Sequence, residues 1–142
     1  MTTNINILSW NICWECMTNN YGGTAGSLGK KCKISDQKTG KTICAQNIIN
    51  YIDSSQFNFD IVGLQEAARW NILQQESKKL NKMNYVHHNV GKQHKVELVT
   101  FYNKYRFELK AVKVGDIKDG DGRPYQILFL VDKLTKNNII CI

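Results

Sequence analysis

Ile7-Leu8-Ser9-Trp10-Asn11 decides the fold of this chain together with a second stretch, Asp60-Ile61-Val62-Gly63-Leu64-Gln65-Glu66. Each is an apolar run that ends in an oxygen-bearing side chain, and such runs predict buried strands. The end of a buried strand lies at the rim of a sheet, where α/β proteins commonly build their sites. Carboxylate and amide oxygens suit a hard cation such as Mg²⁺. The pattern therefore predicts a metal site at Asn11 and Glu66, although a lone polar residue at a strand end is more often a turn-former or simply solvated.

Length and composition favour one folded domain. The chain has 142 residues, of which 42% are hydrophobic, so residues 1–142 are predicted to share a single core. The formal net charge of +7 favours acidic partners, phosphate-bearing ones in particular. The sequence shows neither a signal peptide nor an apolar stretch of about 18 residues. It therefore predicts an intracellular, cytoplasmic protein with no membrane span.

Hydrophobic periodicity predicts two helices among several strands. Apolar residues recur at helical spacing over 42–54, with Thr42 as the N-cap, and a second helix is predicted over 68–82. Turn-forming and charged residues dominate 17–41, which predicts a long surface loop. The order of elements predicts an α/β fold in which helices cover mixed sheets. The predicted strands are 4–13, 60–65, 85–86, 96–102, 107–114, 125–131 and 138–142.

The cysteines offer a weaker candidate site. Their count is odd, and the apolar neighbours of Cys13, Cys44 and Cys141 predict buried, reduced thiols. A zinc-binding structural domain is an alternative that would use Cys13, Cys16, Cys32 and Cys44. Structural zinc sites usually draw their ligands from two close pairs, whereas Cys32 and Cys44 stand singly, so the sequence favours thiols.

Three other patterns do not support a site. Gly23–Lys31 lacks the spacing of a phosphate-binding Walker loop. His87, His88 and His94 have no accompanying carboxylate pattern, so exposed positions at strand ends are predicted for them. The aspartates around Gly120 miss the spacing of a calcium loop and predict a turn.

The two opening stretches resemble the endonuclease/exonuclease/phosphatase superfamily, the deoxyribonuclease I-like enzymes. In that family the first strand ends in Trp-Asn or a similar pair and the second in Gln-Glu. The resemblance implies that Asn11 and Glu66 bind the catalytic Mg²⁺ (or Mn²⁺). Residues 99–103 and 122–124 are also similar to family segments. The family implies a four-layer αββα sandwich of mixed β-sheets, and a metal-dependent phosphodiesterase or phosphatase that acts on a phosphate ester such as nucleic acid.

The chain departs from the family pattern in two places. Many nuclease members carry a basic residue two positions after the metal-binding Glu, where this chain has Ala68; the next residue, Arg69, is the candidate phosphate-binding side chain. The later Asn-x-His and Asp-His segments, which supply the general base, do not occur in the sequence. The prediction is therefore an N-terminal portion of such an enzyme, incomplete at its C-terminal side. It would hold the metal-binding half of the site and need a complementing C-terminal chain.

A further alternative is a basic nucleic-acid-binding module that reuses the fold without catalysis. Its binding would not require divalent ions and would fall steeply with salt concentration. The sequence leaves open whether the chain is active. It also leaves open whether the parent enzyme would cut DNA, RNA, a phosphoinositide or a phospholipid, since no segment matches a specific substrate signature.

Overall fold

Strands and helices alternate through the first half of the chain, and strands fill the second half. The computed structural model describes residues 4–19, 31–90, 97–118 and 122–142. No helix within these ranges is long and apolar enough to cross a membrane. The elements in chain order are β1 (Ile7–Asn11), α1 (Trp14–Thr18), β2 (Ile34–Asp36), β3 (Lys41–Thr42), α2 (Ile43–Ser54), β4 (Ile61–Gln65), α3 (Trp70–Glu76), a 3₁₀ turn (Leu80–Lys82), β5 (Asn84–Asn89), β6 (Glu97–Tyr102), β7 (Phe107–Ile117), β8 (Arg123–Asp132) and β9 (Asn138–Cys141).

The strands form one mixed sheet, one antiparallel sheet and a short hairpin. The mixed sheet has the order β1-β4-β6-β5, in which β1 and β4 are parallel and the other pairs are antiparallel. The second sheet has the order β7-β8-β9, and β2 pairs with β3. The prediction of an α/β fold is confirmed. The parallel register sets Asn11 beside Gln65, so β1 and β4 end at the same edge.

Two apolar cores define the layers. The larger core joins the helices to one face of the mixed sheet and includes Ile52, Leu64 and Phe101. The smaller core joins the two sheets, with Ile61 of the mixed sheet against Leu128 of the antiparallel sheet. The described residues therefore form three layers, namely helices, mixed sheet and antiparallel sheet. The other face of the antiparallel sheet, which points away from the mixed sheet, carries Phe129 and Ile140. These side chains are 38% and 60% exposed, respectively, so no helix of the described ranges covers that face.

The second predicted helix is shorter than its sequence pattern suggested. The prediction covered 68–82, whereas α3 ends at Glu76 and a separate 3₁₀ turn follows. Asp53 causes the break, because its carboxylate accepts hydrogen bonds from Ser77 Oγ at 2.7 Å and from the backbone N–H groups of Lys78 and Lys79. Burial alone would raise the pKa of the Asp53 carboxyl, but these bonds outweigh burial and lower that pKa.

The predicted surface loop over 17–41 contains regular structure in its described part. Residues 34–42 form the hairpin of β2 and β3. Its turn is held by the Asp36 carboxylate, which accepts from Lys38 N and Thr39 Oγ1 at 2.9 and 2.8 Å. Gly40 completes the turn with a φ of 70°, a conformation that glycine adopts without steric cost. Residues 20–30 of the predicted loop lie outside the described residues.

Thr42 caps α2, as the sequence predicted. Its hydroxyl accepts a hydrogen bond from Ala45 N at 3.1 Å, and the side chain is fully buried. We expect Thr42→Val to lower the free energy of unfolding by about 0.5–2 kcal/mol, since it leaves this N–H without an acceptor. Urea denaturation followed by circular dichroism measures the change. Thr42→Ser is the control that keeps the capping hydroxyl and loses only the methyl group. A Thr42→Val variant as stable as the wild type would show that the cap contributes nothing.

Candidate active site

Asn11 and Glu66 meet where β1 and β4 end. Asn11 Nδ2 donates a hydrogen bond to Glu66 Oε1 at 3.0 Å, across 55 positions of sequence. The parallel pairing of the two strands produces this contact, because it carries both chain segments to one edge of the sheet. The structure thus brings together the two residues that the sequence predicts for a metal site.

The segment after β1 supports this pair. Glu66 Oε2 accepts from the backbone N–H of Trp14 at 3.3 Å, and Asn11 Oδ1 accepts from the backbone N–H of Cys13 at 3.0 Å. Glu66 itself has a φ of 53°, in the left-handed region that side chains other than Gly, Asn and Asp seldom adopt. Backbone conformations of this kind cost of order 1–3 kcal/mol and cluster at functional sites. The Glu66 carboxylate is therefore held in place by its backbone, by Asn11 and by the first turn of α1.

A cleft of about 170 Å³ opens beside this pair. It contains two charged residues that sequence reasoning missed, Glu97 at the start of β6 and Arg123 at the start of β8. Glu97 is only 5% exposed, and its carboxylate lies 3.3 Å from His87 Nε2. Because β6 runs antiparallel to β4, the start of β6 reaches the edge where β4 ends. The full lining consists of Asn11, Gln65, Glu66, Glu97, Leu98, Arg123 and Pro124.

The donor set of the cleft suits a hard cation. Glu66 and Glu97 offer carboxylate oxygens, and Asn11 and Gln65 offer amide oxygens. Mg²⁺ and Mn²⁺ take oxygen ligands and commonly use one or two protein carboxylates, with water and substrate phosphate completing the shell. Arg123 adds a positive charge to the same cleft, where a planar guanidinium can pair with a phosphate. The residues present therefore fit a divalent ion together with a phosphate ester.

Arg69 lies elsewhere. Its guanidinium donates to the carbonyl oxygens of Thr39 and Gly40 at 3.3 and 3.2 Å, at the tip of the β2–β3 hairpin. It is not among the residues that line the cleft. A Cβ added to Gly40 would collide with the Arg69 guanidinium, so the two groups are closely packed. The phosphate-binding role of Arg69 stays a prediction, while the geometry offers Arg123 for contact with a phosphate in the cleft.

Within the described ranges, His87, His88 and Asp116 belong to no group of potential metal ligands. His87 and His88 lie in β5, where His88 Nε2 is 3.2 Å from the carbonyl oxygen of Gly115. His94, the segment 20–30 and the aspartates at 119 and 121 lie outside the described residues. Of the two histidines in the described ranges, His87 contacts a residue of the cleft, the Glu97 carboxylate.

Four cysteines lie near one another at the start of α1, where the Cys13 N–H donates to Asn11 Oδ1. Cys32 and Cys44 form a disulfide with a Cα–Cα distance of 5.2 Å, and Cys13, Cys16 and Cys141 are free thiols. The prediction that all five cysteines are reduced thiols is therefore wrong for Cys32 and Cys44. It failed because the β2–β3 hairpin brings two residues together that are twelve positions apart in sequence.

The Cys16 thiol is strongly perturbed. Burial raises its pKa to about 12, and the hydrogen bond with Cys13 and the negative charges of Glu15 and Glu66 act in the same direction. At neutral pH this thiol is therefore a poor nucleophile in the metal-free protein. Burial also raises the pKa of Cys141 in β9.

Comparison with known proteins gives no functional assignment. No family model matches the chain. An uncharacterized protein of Acanthamoeba polyphaga mimivirus, L684, is 31% identical over 139 residues, which cover 94% of this chain. The alignment takes up 26% of the relative, so the chain spans about a quarter of that protein's length. The relative's name states no activity, so function is argued from the site.

Proposed function

We propose that this chain contributes the metal-binding part of a phosphodiesterase- or phosphatase-type hydrolase, similar to the deoxyribonuclease I-like superfamily. The observation that carries the proposal is the 3.0 Å contact between Asn11 and Glu66 at the shared end of two parallel strands. Two further observations support it. Glu97 and Arg123 complete an oxygen-rich and partly cationic cleft, and the net charge of +7 favours phosphate-bearing ligands.

Each residue has a distinct part in the proposed chemistry. Glu66 and Asn11 would hold Mg²⁺ (or Mn²⁺), with Glu97 as a second carboxylate at the same cleft. The ion supplies charge neutralisation for a phosphoryl group under attack by water. Arg123 pairs with a phosphate oxygen of the substrate. The Trp14 N–H and Asn11 fix the Glu66 carboxylate, so the protein needs little rearrangement when the ion binds.

The histidine that the family resemblance assigns to water activation has no counterpart among the described residues of this cleft. None of the cleft-lining residues in the described ranges is a histidine, and the sequence holds no Asn-x-His or Asp-His segment. A missing general base typically lowers a rate by about 10²–10⁴. The proposal therefore assigns water activation to a complementing chain or segment, and it expects the 142-residue chain to bind phosphate esters without efficient turnover.

Binding to a fluorescent single-stranded DNA oligonucleotide, in Mg²⁺ or in a chelator, tests the proposal. Anisotropy should show metal-dependent affinity in the wild type and in the control Glu108→Gln, which removes an exposed carboxylate far from the cleft. Glu66→Gln should remove the metal dependence, because the amide loses the charge that holds the ion. Metal-independent binding that is unchanged in Glu66→Gln and falls steeply with salt would support the non-catalytic nucleic-acid-binding module.

Turnover is measured with the same proteins on plasmid DNA, short RNA and a chromogenic phosphodiester. We expect little metal-dependent cleavage by the isolated chain. Robust cleavage that is lost in Glu66→Gln would confirm a hydrolase and would contradict the incomplete site. Cleavage of plasmid DNA or RNA would indicate a nuclease, and cleavage of the chromogenic phosphodiester alone would indicate an enzyme for smaller phosphate esters.

A further inference from the structure

A compact group of sulfur atoms lies beside the candidate active site and plays no part in its proposed chemistry. The Sγ atoms of Cys16, Cys32 and Cys44 all lie within 4.8 Å of one another. Cys13 Sγ lies 2.9 Å from Cys16 Sγ and extends the group to four sulfurs. Cys16 and Cys32 are buried, and Cys13 and Cys44 are half-buried. Three mutually close sulfurs, with a fourth against Cys16, supply the number and type of donors that a structural zinc ion takes.

Three separate elements deliver these sulfurs in two pairs. Cys13 and Cys16 form a Cys-x-x-Cys pair at the start of α1, where Cys16 N and Met17 N both donate to the Cys13 carbonyl oxygen. Cys32 precedes β2 and Cys44 lies in the first turn of α2. The pairing of Ile34 with Thr42 in the hairpin makes the flanking cysteines neighbours. The hairpin thus creates the second close pair that the sequence alone does not show.

The spacing agrees with tetrahedral coordination. Zinc–sulfur bonds of about 2.3 Å place thiolates about 3.8 Å apart around a tetrahedral ion. The sulfurs of Cys16, Cys32 and Cys44 lie within 4.8 Å of each other, and once the Cys32–Cys44 bond is reduced, side-chain rotation can bring them to that separation. Thiolates select zinc over Mg²⁺ and Mn²⁺, which prefer oxygen. The sulfur group and the oxygen-lined cleft therefore differ in the metals they suit.

We propose that Cys13, Cys16, Cys32 and Cys44 form a zinc site whose metal-free, oxidised form contains the Cys32–Cys44 disulfide. A cellular thiol reductant gives two electrons and two protons to this disulfide, breaks the sulfur–sulfur bond and leaves as its own disulfide. One Zn²⁺ then binds the four sulfurs as their thiol protons pass to solvent. This proposal does not depend on the proposed hydrolase function.

Zinc would crosslink three segments of the chain beside the candidate active site. The four ligands tie the turn after β1, the segment before β2 and the start of α2 to one ion. The turn after β1 also supplies the Trp14 and Cys13 N–H groups that hold Glu66 and Asn11. Loss of zinc should therefore loosen the supports of that pair, in line with the general coupling of structural zinc to folding.

Zinc content and cobalt spectra test the proposal. Protein prepared with a phosphine reductant and Zn²⁺, then freed of excess metal, should retain about one zinc per chain by elemental analysis. Co²⁺ in place of zinc should give the intense visible bands of tetrahedral thiolate coordination. Cys16→Ser and Cys32→Ser should lose both signals, and Cys141→Ser, which alters a cysteine in β9, should keep them. Glu66→Gln should also keep them, which separates this site from the oxygen-lined cleft.

Two results would overturn the proposal. The first is failure of the reduced wild-type protein, shown by alkylation and intact mass to carry five thiols, to bind zinc stoichiometrically; that outcome assigns Cys32 and Cys44 to a purely structural disulfide. The second is retention of zinc in Cys16→Ser, which would place the metal elsewhere. The wild-type measurement decides the question even where a cysteine variant fails to fold, because removing zinc with a chelator should alter amide resonances over residues 13–18 and 32–44.

Discussion

Replacing Arg106 by methionine is expected to lower the free energy of unfolding by about 3–5 kcal/mol, the usual cost of removing one partner from a buried ion network. The Arg106 guanidinium lies 2.8 Å from Asp60 and 3.0 Å from Asp132, and its side chain is 10% exposed. It also donates to the carbonyl oxygen of Asn4 at 2.7 Å. The variant would leave two carboxylates buried without their cation between the two sheets.

Urea denaturation measures this loss, and Lys110→Met is the matched control. Lys110 pairs with Glu108 at 2.7 Å, but both side chains are more than half exposed. Exposed pairs contribute about 0–1 kcal/mol, so the control should change stability little. A triple variant that also carries Asp60→Asn and Asp132→Asn should recover part of the loss, because it removes the unpaired charges. Equal effects of Arg106→Met and Lys110→Met would contradict a buried network.

The same network predicts sensitivity to acid. Burial alone would raise the pKa of Asp132, but hydrogen bonds from the backbone N–H of Leu134 and from Arg106 outweigh burial and lower it. A carboxyl whose pKa is lower in the folded state stabilises the fold above its unfolded pKa of about 3.9. That contribution is lost as the pH falls through the lower, folded value. Arg106→Met should therefore show a weaker loss of stability below about pH 4 than the wild type.

Local sequence patterns were sufficient for the elements that carry their own periodicity. The apolar runs of β1 and β4 and the helical spacing of α2 predicted these elements to within a few residues, with Thr42 as the cap. In each case the deciding interactions lie within a few residues along the chain. The end of α3 could not be found in this way, because Asp53, 24 positions before Ser77, forms the hydrogen bonds that end it.

The site was predictable only where the sequence marked its strand ends. Asn11 and Glu66 each follow an apolar run, and the parallel pairing of β1 with β4 brings them together. Glu97 and Arg123 carry no such mark, since their place in the cleft depends on which strands pair and in which direction. The Cys32–Cys44 contact likewise depends on a hairpin inside a segment that reads as a loop. Composition and periodicity do not show which strands pair, in which direction or in which register.

Mn²⁺ binding at the end of β1 and β4 should be abolished by Glu66→Gln and weakened about 10–100-fold by Asn11→Ala. The first variant replaces a charged ligand with a neutral amide, which a hard cation binds poorly. The second removes the Nδ2–H bond that fixes Glu66 Oε1 at 3.0 Å, and loss of such an orienting partner typically costs that factor in metal affinity. Mn²⁺ suits the measurement because oxygen donors bind it in preference to the neighbouring sulfurs.

Paramagnetic broadening of assigned amide resonances during a Mn²⁺ titration measures both effects. In the wild type, broadening should centre on residues 11, 66 and 97, and the apparent dissociation constant follows from its dependence on metal concentration. Glu108→Gln is the control variant. Glu108 lies near the start of β7, whereas the cleft residue Arg123 pairs with Ile117 at the other end of that strand, so this variant should leave the titration unchanged. Equal broadening near Asn11 in the wild type and in Glu66→Gln would exclude Glu66 as a ligand, since only a carboxylate at that position distinguishes the two proteins.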